Sequence, residues 1–260
     1  MSFLDDIVSV GSTLYKSISG SQLASGLAKT AVLGLLLNQV SKSMNKKNSP
    51  PPQANSSQPD KFSREPLSPS SQHAIPVIYG TAYVKGIITD AYLSNDNLTM
   101  YYCVTICEKT GTKLSDSTSS TFSFDEIYWN DYKLNFAVDG VTVTSGIDAN
   151  GNTNTNINGL MEIYCYRGGS SDPTVPVGYT NGSLGSAFAI FPSWGSSHLM
   201  SDLVFCIIKL TYNKEKDITG LGNIEFKMTN SMTLPGDVMQ DYMTNTRYGA
   251  GISNTEIYSA

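Results

Sequence analysis

At 260 residues the chain has room for one large domain or two small ones. Its 17 Lys and Arg stand against 22 Asp and Glu, a formal charge of −5, so there is no basic excess to neutralise phosphates and no nucleic-acid partner is expected. Only 15% of residues are charged, while Tyr (15) and Gly (22) are abundant, a composition suited to strands, turns and protein contacts more than to a highly charged monomer.

The first region, residues 1–47, is rich in Leu, Ala, Ser and Val and has no Pro. Residues 23–40 read as helix, with Leu33, Leu36, Leu37 and Val40 at i, i+3, i+4 and i+7. Five lysines and no acid lie between residues 7 and 48, so this arm is positive on an acidic chain. Asp5 and Asp6 occupy the place of a positive n-region, which argues against a signal peptide. No run reaches the roughly 20 apolar residues of a bilayer-spanning helix. The expected role of the stripe is an assembly contact buried against a neighbouring subunit; a helix lying on a membrane surface is the other reading.

Residues 48–72 contain six of the eleven prolines among Ser, Gln and Asn, a mixture that buries too little apolar surface to offset its ordering entropy. This is an extended linker. From residue 73 to 260 the expectation is a mainly β body (α+β overall) that ends in a helix at about 235–247. Residues 100–107 (MYYCVTIC) alternate, with Met100, Tyr102, Val104 and Ile106 on one side and Tyr101, Cys103, Thr105 and Cys107 on the other. Residues 124–136 read as strand, turn and strand around Asn130 and Asp131, and Asp139-Gly140 marks the next reversal. Residues 202–211 (DLVFCIIKLT) are apolar almost throughout, as a central strand buried on both faces requires, and residues 222–228 alternate again. Leu234, Pro235, Gly236 and Asp237 open the helix, with an acid suited to the first turn and its dipole. Its expected inner face is Val238, Met239, Tyr242 and Met243, with Gly249 and Gly251 closing it.

Catalytic chemistry finds no motif. The four cysteines form no CxxC pair, and Cys103 and Cys107, about 13 Å apart by strand rise on one side of a strand, are too distant for a disulfide or a shared metal. The expectation is buried structural thiols and a reduced assembly compartment. His73 and His198, the only histidines, have no spacing that suggests a metal site. Residues 148–154 begin like a calcium loop, but Thr153 stands at the sixth position and Gly159 at the twelfth, so a polar loop is expected. Asp125 and Glu126, adjacent on a strand, are expected to face opposite sides and so to form no glycosidase pair. There is no G-x-S-x-G and no Walker A sequence, and Gly220-Leu221-Gly222 lacks the third glycine of a dinucleotide turn. No catalytic residue, metal ligand or cofactor is assigned; a Ser-His-acid triad, which is geometric, stays open.

Three stretches in order carry a resemblance: residues 75–81 (IPVIYGT) with 84–87 (VKGI), residues 125–131 (DEIYWND) with 139–141 (DGV), and residues 235–252 (PGDVMQDYMTNTRYGAGI). Over about residues 74–258 the body resembles the tail tip attachment, or central tail-fibre and host-specificity, proteins of long-tailed bacteriophages, in their N-terminal hub region. Residues 203–212 followed by 218–226 look like the family's paired strands before the last helix.

The resemblance implies hub-like β domains in a virion structural protein that is not an enzyme. It implies a trimer at the distal end of the tail tube, binding the tube above and fibre or plug proteins below, assembled in the bacterial host cytoplasm. Family members continue past the helix, so either this is a shortened member or the sequence is part of a longer polypeptide. In the terminal motif Asn245 ends the helix or makes a contact, Tyr248 packs beneath it or makes a contact, and Arg247, a planar five-donor fork, pins the turn to a neighbouring domain or subunit. With Tyr242 these are the expected assembly contacts. The rival readings are a peripheral baseplate or fibre adaptor whose Tyr-rich loops bind receptors, and a tail-associated hydrolase.

Overall fold

The computed structural model describes residues 74–180 and 184–257. The arm with Leu33, Leu36, Leu37 and Val40, the linker and His73 lie outside the described residues.

The body is mainly β, in two antiparallel sheets. The first sheet contains β1 (Thr81–Val84), β4 (Phe122–Trp129), β5 (Tyr132–Phe136), β6 (Val143–Ile147), β7 (Thr153–Asn154) and β11 (Ile224–Asn230). Its order is β1-β11-β4-β5-β6-β7. The second contains β2 (Ile87–Leu93), β3 (Thr99–Glu108), β8 (Met161–Tyr166), β9 (Pro173–Thr174) and β10 (Leu203–Thr211), in the order β2-β3-β10-β8-β9. Three helices complete the described residues: α1 (Ala187–Ile190), α2 (Pro235–Thr244) and α3 (Asn254–Ile257).

The apolar run of β10 lies at the centre of the five-stranded sheet, between β3 and β8, and is buried on both faces. One face carries Cys103, Phe205, Ile207 and Tyr166, which form a core with Ala187 and Phe191 of the α1 segment. Phe205 stacks on Tyr166 with ring centroids 4.9 Å apart. The other face buries Val104, Cys206, Ile208, Ile163 and Cys165, while Phe122, Phe124, Ile127, Leu134, Phe226 and Met228 line the single buried face of the six-stranded sheet. Trp129 of that sheet donates its indole N–H at 2.5 Å to the Leu221 carbonyl in the β10–β11 connection, and Ile163 N–H of β8 donates at 3.0 Å to the Val141 carbonyl in the β5–β6 connection. Asn130 (φ 47) and Asp131 (φ 68) form the two-residue turn between β4 and β5, a left-handed pair that matches strand twist.

Three expectations need correction. First, β10 and β11 do not pair: β10 bonds β3 and β8, and β11 bonds β1 and β4, in different sheets. A strand buried on both faces takes neighbours on both sides from distant sequence, so β11 crosses to the other layer. Second, strict alternation in β3 breaks at Ile106. Thr105 pairs with Phe205 and Cys107 with Val204, and this bulge turns Cys107 to the face opposite Cys103. Third, a bulge in β4 leaves Asp125 between Glu126, opposite Lys227, and Phe124, opposite Met228. Asp125 and Glu126 therefore share the outer, polar face, because Phe124 and Ile127 on either side both point inward.

All four cysteines are buried and free, and burial pushes the Cys103 thiol up to about 12. Among the described residues no helix is long and apolar enough to cross a membrane.

Candidate functional site

The terminal motif folds onto the body through carboxylates. In α2, Pro235 occupies the first turn after Leu234, the N-cap, which makes no side-chain cap. Asp237 and Asp241, four residues apart, fall on one helix face and are the buried residues of α2. Asp237 accepts the Ser115 backbone N–H at 2.8 Å and the Ser115 hydroxyl at 2.7 Å. Asp241 accepts the Tyr79 hydroxyl at 2.7 Å, the Tyr248 hydroxyl at 2.6 Å and the Gly111 N–H at 2.9 Å. Burial and the Asp241 carboxylate beside them push both tyrosine hydroxyls well above the ordinary phenol range.

This overturns the expected inner face. Met239 and Tyr242 are exposed and Val238 and Met243 half-buried, while the acids point inward. The reason is donor supply: the loop between β3 and β4 and the two tyrosines offer five neutral N–H and O–H groups that an apolar face would leave unpaired.

The helix stops at Thr244, short of the expected 247, at the extended Asn245. The Asn245 side-chain oxygen accepts the Arg247 N–H at 2.8 Å and the Tyr248 N–H at 3.3 Å, a local alternative to further helical turns. The chain then returns along the last turn, with Ala250 N–H on the Tyr242 carbonyl and Ile252 N–H on the Met243 carbonyl. A Cβ at Gly249 would stand 2.0 Å from the Tyr242 carbonyl oxygen, so only glycine allows this approach.

Arg247, 45% of whose side chain stays exposed, pairs with the body of its own chain. Its Nε lies 2.8 Å from Oε2 of the buried Glu108, at the end of β3, and its Nη1 donates to the Ser201 carbonyl at 3.4 Å. Desolvation raises the Glu108 pKa, and the Arg247 charge opposes that rise. A carboxyl raised on folding stabilises the fold below its unfolded pKa and loses that contribution as pH rises through its folded value. Glu108→Gln is therefore expected to remove this loss of stability as pH rises, and Arg247→Ala to enlarge it. Identical profiles for the two variants in urea titrations would contradict this.

Beneath α2 lies a polar network with no signal in any motif. Asn230, fully buried, donates through Nδ2 to the Ile78 carbonyl at 2.7 Å and to Thr110 Oγ1 at 2.8 Å, and its Oδ1 accepts the Met232 N–H at 3.0 Å. The pattern Ile224, Phe226, Met228, Asn230 puts this amide at the fourth inward position of β11, and the Asp237/Asp241 spacing was equally visible. A polar residue in an inward register is the sign that could have found both.

The other candidate groups are occupied singly. Asp125 accepts the hydroxyls of Ser123 at 2.7 Å and Thr229 at 2.6 Å. Glu126 is bonded by the Tyr128 hydroxyl and flanked by Lys133 at 3.2 Å and Lys227 at 3.4 Å. The Tyr128 bond, with the lysines behind it, lowers the Glu126 pKa, the reverse of what a general acid needs. Asp148 closes on its own loop, accepting the N–H groups of Asn150 and Asn152 at 2.9 and 2.8 Å. His198 is exposed and stacks on Trp194 at 5.5 Å. An open polar cleft of about 370 Å³ separates Gly111 and Thr112 from Gln240, Thr244 and Asn254; its one ionisable group, Asp241, is held by three donors. Among the described residues no group of three or more His, Cys, Asp or Glu could hold a metal ion.

Compared with protein-family models, curated proteins and solved structures, the chain matches none. The phage resemblance therefore rests on the residues of those three stretches. Asp241 brings two of those stretches together, since Tyr79 belongs to the first and Asp241 and Tyr248 to the last.

Proposed function

We propose that this protein is a non-enzymatic structural component of a phage virion, placed in the tail tip or baseplate hub, that connects the distal tail tube to the adsorption apparatus as a homotrimer. The observation that carries this reading is the convergence of the first and last resembling stretches on the Asp241 carboxylate. Segments that share one buried acceptor fold as a unit, so the resemblance follows a packed element and not scattered composition. The free, buried thiols support assembly in a reducing host cytoplasm, since Cys165 stands directly opposite Cys206 on adjacent strands without being bridged. Occupied carboxylates and the low Glu126 pKa favour a connector over the hydrolase reading.

Deletion of the coding sequence from the phage genome tests the proposal. The expected product is particles with filled heads that lack a finished tail tip and do not adsorb, rescued by the chain in trans. Normal, adsorbing particles would overturn it.

A further inference from the structure

The orientation of α2 departs from that of an ordinary surface helix: its acids are inside, while Met239 and Tyr242 face solvent. Leu234, Met239 and Tyr242 are 54%, 65% and 55% exposed. Among the described residues no other stretch as short holds three exposed large apolar side chains.

The charge pattern selects the occupant. On a chain of formal charge −5, a contact between identical copies has to avoid apposing carboxylates. The only ionisable side chains of α2 on the acidic side, Asp237 and Asp241, are withdrawn into the body, which leaves the outward stripe without a formal charge. The outer faces of the sheets differ: one carries Asp125, Glu126, Lys133 and Lys227, and the other carries Glu162 and Lys209. Met and Tyr are also the side chains enriched in the buried centres of protein interfaces.

We propose that the outward stripe formed by Met239 and Tyr242 of α2 with the N-cap Leu234 is the surface through which copies of this chain associate. The same two carboxylates thus do two jobs: they dock the helix, and they clear its outer face of charge for a like copy. This rests on the homo-oligomeric connector reading. About a threefold axis each helix meets its counterparts on the two neighbours, and burial of one central aromatic per copy supplies the anchor.

The test is sedimentation of the full chain beside the double variant Met239→Asp/Tyr242→Asp, with far-UV circular dichroism to establish folding. The expected result is an oligomeric wild type and a folded variant whose association is at least about tenfold weaker. An oligomer unchanged in the variant would overturn the stripe as the interface and leave the connector reading standing. A wild type that stays monomeric at high concentration would overturn both. Met239→Cys gives a second readout that needs no charge. The native cysteines are all buried, so the new thiol is the accessible one, and a short bis-maleimide should join copies. Absence of cross-linking in a preserved oligomer would count against the stripe.

Discussion

Asp241→Asn is expected to release the terminal segment while the sheets stay folded. The carboxylate accepts from two hydroxyls and one amide, whereas an asparagine side chain of the same size offers one oxygen and turns an NH2 group toward donors. Losing charge-assisted bonds and leaving buried hydroxyls unmatched costs about 2–3 kcal/mol. The loss falls locally, because the buried side chains of α2 are its two acids and little apolar surface holds the helix down. Hydrogen exchange should show amides of residues 237–252 opening much faster in the variant, with β3 and β10 unchanged. Equal protection of that segment in the two proteins would contradict the latch.

Phe205→Ala acts on the opposite kind of contact and is expected to destabilise the whole body by about 3–5 kcal/mol. Phe205 is completely buried at the centre of the five-stranded sheet, stacked on Tyr166 and tilted 6.3 Å from Trp194. The cavity would lie between sheet and α1 segment, where Cys103, Ile207 and Phe191 already fill the space around it. Phe205→Leu keeps most of the volume and should lose under about 1.5 kcal/mol. Urea unfolding measures both; a Phe205→Ala loss below that of the leucine variant would contradict the core assignment.

The features legible in the sequence were local ones. Ten consecutive residues dominated by Val, Phe, Ile and Leu gave β10 its central place, the Asn130-Asp131 pair its turn, and Pro235 the start of α2. Each depends on neighbours within a few residues. What escaped depends on distant chain. The extra residues Ile106 and Asp125 reverse which side chains share a face, and neither bulge has a composition of its own. The inversion of α2 needed the donors of Tyr79, Gly111 and Ser115, far back in the sequence, before buried acids became preferable to a buried Met239. In the same way the partner of Arg247 is Glu108 at the end of β3, a pairing that spacing cannot reveal.

These contacts give one picture of the described body: a two-sheet platform, a terminal motif latched to it by carboxylates, and an uncharged apolar stripe on the outside of the latch.

Imaging of intact particles tests the proposed connector function most directly, by locating this chain and counting its copies. Three copies are expected around the tail axis at the distal end of the tube, with the α2 helices facing one another. Six or more copies at the periphery, or particles in which the chain is absent, would contradict it.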